Sequence, residues 1–178
     1  MRRQLAVLGL GFLLCLSACG GGSSTPTTPS TPVPVTPSAT IDASGSGNIE
    51  VHPSSLSGFG AALVTPIRIH ETAGGKADWT YARYSATLKG VELERKEFTS
   101  DSLISGGISK ITASQNVVYS LAFHVNATNF DNIIITLGFA DLKDGRQFST
   151  QVPLSSFSGV VSSPTPASRP GIIHLGDQ

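Results

Sequence analysis

The segment VVYSLAFHV, residues 117–125, carries a large apolar side chain at every second position. Its apolar positions are Val117, Tyr119, Leu121, Phe123 and Val125. The other face carries Ser120 and His124 and continues to Asn126. Because successive side chains of a strand point to opposite faces, this pattern predicts an antiparallel strand with one face in a core and the other toward solvent.

A second alternating run predicts a hairpin. Its first arm has apolar side chains at every other position, namely Ile133, Ile135, Leu137 and Phe139. Its second arm repeats the pattern with Phe148, Thr150 and Val152. The turn between them is Lys143-Asp144-Gly145-Arg146, in which Gly145 tolerates the positive φ of a tight turn.

Strands are also predicted upstream, at residues 48–52, 61–72, 79–88 and 91–98. Gly74-Gly75 and Lys89-Gly90 are the predicted turns between them, and residues 101–113 are expected to be a loop with one short strand. No convincing helical repeat is present. Seven or eight short strands at this spacing predict an all-β fold of two packed sheets.

The order of these elements over residues 48–154 resembles an immunoglobulin-like or fibronectin type III sandwich. The resemblance implies an antiparallel β-sandwich, in which Trp79 is a candidate for the buried indole that such domains often carry. An eight-stranded jelly roll or a small barrel is the alternative. Cys15 and Cys19 are the two cysteines of the chain, so the sandwich has no disulfide of its own.

The first 18 residues predict a signal peptide. Arg2 and Arg3 precede an apolar run from Leu5 to Leu16, which is shorter than the ~20 residues of a membrane-spanning helix. Leu16-Ser17-Ala18-Cys19 resembles the lipobox of bacterial lipoproteins. The resemblance implies cleavage after Ala18, a diacylglyceryl group on Cys19, and delivery to the outer membrane where the source has two membranes. An ordinary secretory leader that ends near Ala18 is the alternative.

Two further segments flank the predicted sandwich. Residues 19–47 are rich in Gly, Ser, Thr and Pro and predict a linker that extends at ~3.1 Å per residue where proline is frequent. Residues 155–178 predict a mostly disordered tail. The apolar patch 171–175 within it is expected to be a loosely held end, with a strand added to a sheet edge as the alternative.

Charge and chemistry exclude several functional classes. Twelve basic and twelve acidic residues balance, so no charge excess predicts a nucleic-acid partner. His52, His70, His124 and His174 are scattered, and Asp141 and Asp144 lack the spacing of a calcium loop. We therefore expect no metal, no cofactor and no catalytic residue.

The expected function is that of a lipid-anchored, non-enzymatic module of the cell envelope. Its partners would be the membrane, through lipid on Cys19, and another envelope protein or a glycan. The alternative is a carbohydrate-binding module that uses Trp79 and Tyr81, which a regular strand would place on one face. An envelope hydrolase is the remote alternative.

Overall fold

The computed structural model describes residues 34–105, 109–127, 129–155, 157–160 and 172–175. The predicted signal peptide, Cys19 and most of the predicted linker lie outside these residues. Within them the chain forms one short helix, α1 (Ser100–Ser105), and eleven strands. The strands are β1 (Ile41–Gly45), β2 (Ile49–Pro53), β3 (Ala61–Glu71), β4 (Ala77–Leu88), β5 (Val91–Thr99), β6 (Lys110–Ile111), β7 (Asn116–Val125), β8 (Asn132–Asp141), β9 (Gln147–Leu154), β10 (Phe157–Val160) and β11 (Ile172–Leu175).

The strands form two sheets that pack face to face. Sheet A has the order β10-β2-β3-β7-β11, with β1 also paired to β3, and sheet B has the order β5-β4-β8-β9, with β6 also paired to β4. The chain changes from sheet A to sheet B after β3 and again after β7, as in immunoglobulin-like sandwiches. The predicted all-β sandwich is confirmed, and eight of the described strands have five or more residues.

The core lies between the sheets and contains the predicted apolar faces. On β7 and β8 it contains Leu121, Phe123, Val125, Ile133, Ile135, Leu137 and Phe139, each at most 2% exposed. Tyr84 of sheet B stacks on Phe123 of sheet A, with ring centroids 4.8 Å apart. Full burial of each such side chain stabilises the fold by roughly 1.5–3 kcal/mol.

The β8–β9 turn also agrees with the prediction from sequence. Gly145 has a φ of 74°, which glycine adopts without the steric cost that a Cβ brings. Lys89 and Gly90 connect β4 to β5 in the same left-handed region. The residues of these two turns were therefore correctly predicted from the sequence.

The folded domain extends beyond both of its predicted ends, 48 and 154. The predicted linker contains β1, which pairs with β3 from Ile41 to Gly45, and Ala39 just before it is buried. The predicted disordered tail contains β11, which pairs in parallel with β7 and buries Ile173 and Leu175. Both boundaries are thus corrected, because short segments of mixed composition gain their order from pairing with a long neighbouring strand.

The segment between β5 and β7 was predicted to be a loop with one short strand. The short strand is β6, but residues 100–105 form α1, whose Leu103 is fully buried. A helix of six residues is too short to produce a helical periodicity in the sequence. Among the described residues, no helix has the length and apolar character needed to cross a bilayer.

Candidate functional site

A β-bulge in β4 separates the two aromatic residues predicted to share a face. Trp79 lies opposite Phe139 and Tyr81 lies opposite Gly138, so Thr80 is the extra residue on β4. The indole Nε1 of Trp79 donates a hydrogen bond to the carbonyl oxygen of Tyr81 across the bulge, at 2.9 Å. Because an extra residue reverses the alternation of faces, the prediction of a shared face is wrong.

The bulge places Trp79 in the core and Tyr81 on the outer face of sheet B. Trp79 is 1% exposed and packs against Phe139, with ring centroids 6.0 Å apart. It therefore cannot offer its indole face to a surface ligand, whereas it fits the predicted role of a buried indole. Tyr81 is half-buried and is the member of the predicted pair that can meet a ligand.

Gly138 makes room for the Tyr81 ring. A Cβ on Gly138 would lie 1.9 Å from Cε1 of Tyr81, 2.2 Å from Cδ1 and 2.5 Å from Cζ. Similar distances to three successive ring atoms mean that the ring turns its face toward the glycine. The Tyr81 ring therefore lies against the backbone of β8, and the guanidinium of Arg83 lies over it, 5.8 Å from the ring centroid.

A cleft of about 400 Å³ adjoins the bulge. It lies where the chain passes from β5 through α1 to β6, the short strand that pairs with β4. The backbone N–H of Trp79 donates to the carbonyl oxygen of Ser109 at 3.0 Å, and Asp78 lies opposite Lys110 in the β4–β6 pair. The described residues that line this cleft are Asp78, Trp79, Thr80, Ser100, Ser109 and Lys110. We call it the bulge cleft.

Two side chains of the bulge cleft carry buried oxygens without a partner. Within the described residues, neither Oδ1 of Asp78 nor Oγ1 of Thr80 has a hydrogen bond. A buried polar atom left without a partner costs roughly 1–3 kcal/mol, and more for a charged group. Such atoms are uncommon in folded proteins, and here both belong to one cleft.

The histidines do not form a metal site in the described part of the chain. His70 and His124 lie on the paired strands β3 and β7, at opposite ends of the pairing, because His70 is opposite Asn116 and His124 is opposite Ala62. Eight residues of strand separate them by roughly 26 Å. No group of three or more potential metal ligands occurs among the described residues.

Two of the histidines are buried, which the sequence did not predict. His124 is 8% exposed and His52 is 2% exposed. Nδ1 of His124 is 2.9 Å from Oγ of Ser54, and Nε2 of His52 is 3.1 Å from Oε2 of Glu50. The segment between β2 and β3 therefore covers part of the outer face of sheet A.

Glu71 and Asp141 are buried carboxylates with structural partners. Glu71 accepts hydrogen bonds from the backbone N–H groups of Thr40, Ala73, Gly74 and Ser114 at 2.8–3.2 Å. Burial raises the pKa of Glu71, but these four donors outweigh it and hold the pKa below its usual value. The occupied oxygens make Glu71 a structural residue.

Asp141 has a similar role at the start of the β8–β9 turn. It accepts hydrogen bonds from the N–H groups of Lys143 at 2.9 Å and Ala39 at 3.0 Å. The bond from Lys143 is the largest cause that lowers the pKa of Asp141, and together with the bond from Ala39 and the charge of Arg146 it outweighs burial. Asp144 accepts from the N–H of Arg146 at 2.9 Å. The two aspartates thus support the turn.

The mixed charges of residues 92–97 lie on β5, at an edge of sheet B. Glu94 has a further contact, because its carboxylate accepts from the Tyr84 hydroxyl at 2.5 Å and from the N–H groups of Asn126 and Ala127 at 2.8 and 2.9 Å. Through these hydrogen bonds the Glu94 carboxylate links the β7–β8 connection to sheet B.

No family model and no curated protein shows significant similarity to the chain. Among solved structures, an X-ray structure of a Northeast Structural Genomics Consortium target is 13% identical, with a TM-score of 0.46, over 76% of this chain and 99% of that one. A crystal structure of a Bordetella pertussis protein given the name ApaA is 13% identical, with a TM-score of 0.41, over 69% of this chain and 98% of that one. No statement about function follows from either similarity.

The sequence offered little to identify the bulge cleft. Asp78 and Thr80 alternate with Trp79, which indicates two polar side chains on one face of a strand. It does not indicate that Ser100 and Ser109 border the same face. Local patterns predict the strand, whereas the cleft arises from the return of the chain to β4 about thirty residues later.

Proposed function

We propose that this chain is a lipid-anchored protein of the cell envelope whose β-sandwich binds a small ligand in the bulge cleft. The observation that carries the proposal is the pair of buried oxygens, Oδ1 of Asp78 and Oγ1 of Thr80, that lack partners within the described residues. A ligand that supplied donors to them would recover the hydrogen bonds that folding leaves unmade. The volume of the cleft falls within the ~300–1,000 Å³ typical of small-molecule sites.

Binding without catalysis fits the groups in the cleft. Among the described lining residues, the titratable side chains are Asp78 and Lys110, and the hydroxyls belong to Thr80, Ser100 and Ser109. A hydrolytic site needs a nucleophile within hydrogen-bond reach of a base that a third group orients. Among the described lining residues, no hydrogen bond joins one of these hydroxyls to Asp78 or Lys110, the groups that could act as a base.

The anchor is proposed from the sequence alone. Leu16-Ser17-Ala18-Cys19 follows a short positive segment and an apolar run, as in bacterial lipoprotein leaders. Two or more acyl chains on Cys19 would hold the protein stably at a membrane. The balanced charge gives no basis for a nucleic-acid partner, so the proposed partners are the membrane and a small molecule or glycan of the envelope.

The binding proposal is tested with the single tryptophan of the chain. Trp79 lines the bulge cleft, so its fluorescence should respond when the cleft is filled. The purified protein would be titrated with a panel of monosaccharides, oligosaccharides, amino acids, polyamines, carboxylic acids and nucleotides, with thermal shift as a second readout. At least one class should change both signals.

Variants assign the response to the cleft. Asp78→Asn should weaken the response about tenfold, because it removes a charged acceptor. Asp42→Asn, at an exposed position of β1, should leave the response unchanged. No response from any class, or a response equally strong in Asp78→Asn, would rule out the bulge cleft as a ligand site.

A further inference from the structure

Building on the proposed function, we infer that the ligand of the bulge cleft is a free amino acid in its zwitterionic form. Its ammonium group would donate to Asp78 and Thr80, and its carboxylate would accept from Lys110. The inference rests on the charges that line the cleft and on the two buried oxygens that lack partners within the described residues.

The cleft presents a negative and a positive side chain next to each other. Asp78 and Lys110 lie directly opposite each other in the antiparallel β4–β6 pair, where facing side chains have Cβ atoms about 4.5–5.5 Å apart. Within the described part of the chain, neither of them takes part in a salt bridge. Both charges are therefore available to a ligand.

An ammonium group suits the two buried oxygens. Oδ1 of Asp78 and Oγ1 of Thr80 can both accept hydrogen bonds, and an ammonium group has three donors. One such group can supply both oxygens and still donate to a hydroxyl of the lining, from Ser100 or Ser109. Its charge also compensates the Asp78 carboxylate, and charge-assisted hydrogen bonds are roughly twice as strong as neutral ones.

Lys110 adds the recognition of an anion. Its side chain is exposed and lines the same cleft as Asp78. In an α-amino acid the ammonium and the carboxylate are attached to one carbon atom, so the two charges can meet two side chains that face each other on paired strands. A simple amine would face the like charge of Lys110, and a simple carboxylic acid would face that of Asp78, so both are disfavoured relative to the zwitterion.

The test compares ligands that differ by one charged group. Each common amino acid would be titrated beside the amine that lacks its carboxylate and the acid that lacks its amino group, such as phenylalanine beside phenethylamine and phenylpropionate. Calorimetry and Trp79 fluorescence measure binding to the purified protein. We expect at least one amino acid to bind at least about fivefold more tightly than either of its analogues, because each analogue loses one charged contact.

Two variants assign the two charged contacts. Lys110→Met removes the cation and should weaken binding of the amino acid about fivefold, whereas binding of the matched amine should not fall. Asp78→Asn should weaken binding of both about tenfold, because the ammonium group loses its charged acceptor. Lys143→Met and Asp42→Asn, at exposed positions, are the matched controls and should leave both affinities unchanged. Circular dichroism and thermal denaturation would show that each variant is folded.

The outcomes separate the two proposals. Binding of a saccharide, a nucleotide or a carboxylic acid, and of no amino acid, with loss in Asp78→Asn, would retain the ligand site and overturn the zwitterion. An amine that binds as tightly as its amino acid, or amino-acid binding that Lys110→Met leaves unchanged, would also overturn it. An absence of binding by every class would overturn both proposals.

Discussion

Glu71 joins three separate parts of the chain through one carboxylate. Its Oε1 accepts from Thr40 and Ala73, and its Oε2 accepts from Gly74 and Ser114. These donors lie ahead of β1, between β3 and β4, and ahead of β7. Since hydrogen bonds to a charged acceptor stabilise more than neutral ones, Glu71 is a main support of this end of the sandwich.

Replacement of Glu71 by Gln should destabilise the protein by about 2–4 kcal/mol at neutral pH. The Gln side chain has one acceptor oxygen, and its NH₂ group would face two backbone donors that then lack a partner. The measurement is the free energy of unfolding in urea. Glu97→Gln is the matched control, because the Glu97 side chain is 51% exposed and contacts Arg83 at 3.6 Å, and it should change the stability by less than about 0.5 kcal/mol.

The stability difference between the original protein and Glu71→Gln should depend on pH. The pKa of Glu71 is lower in the folded protein than its ordinary value of 4.5, so its contribution to stability is complete above about pH 4.5 and is lost as the pH falls through the folded-state pKa. The stability difference between the original protein and Glu71→Gln should therefore shrink below pH 4.5. A difference that stays constant from pH 7 to pH 3 would contradict this role of the charge.

At the scale of elements, the sequence predicted strands wherever the alternation is regular. The apolar faces of β7, β8 and β9 follow from residue spacing alone, because each strand has one face in the core. β4 departs from that rule at Thr80, since one extra residue reverses the faces of Trp79 and Tyr81 relative to each other. The residue types at positions 79–81 do not indicate a β-bulge. The outward position of Tyr81 therefore could not be predicted from the sequence.

The tail strand β11 could be only half predicted. Residues 172–175 form a run of only four residues, which is too short for the sequence pattern to distinguish a strand from a loosely held end. Their order comes from the parallel pairing with β7, from Ile172 opposite Ser120 to Leu175 opposite Phe123. Pairing partners so distant in sequence leave no local signal.

Two neighbouring isoleucines test whether β11 supports the fold. Ile173 is 1% exposed, so Ile173→Ala should destabilise the protein by about 2–4 kcal/mol through the lost contacts and the cavity. Ile172 is only half-buried, and Ile172→Ala should cost less than half as much. Urea denaturation measures both, and equal, negligible effects would mean that the tail does not stabilise the domain in solution.

At the scale of the whole molecule, the two cysteines test the proposed anchor. Cys19→Ser should leave the protein uncleaved or release it from the membrane, because the lipid would have no sulfur to modify. Cys15→Ser should behave like the original protein, since Cys15 lies within the proposed leader. Membrane fractionation and mass spectrometry of the N-terminal peptide measure both outcomes, and a Cys19→Ser protein that is processed and membrane-bound like the original would refute the anchor.

The attachment of the N-terminal segment has a mechanical consequence. Any tension from a membrane anchor would reach the domain through Ala39 and Thr40, whose N–H groups are held by Asp141 and Glu71. Directly behind them, β1 is bonded to β3 across five residue pairs, and a pull along the strand would load these bonds together in shear. If the chain is anchored as proposed, the pairing of β1 with β3 would resist a pull along the strand direction.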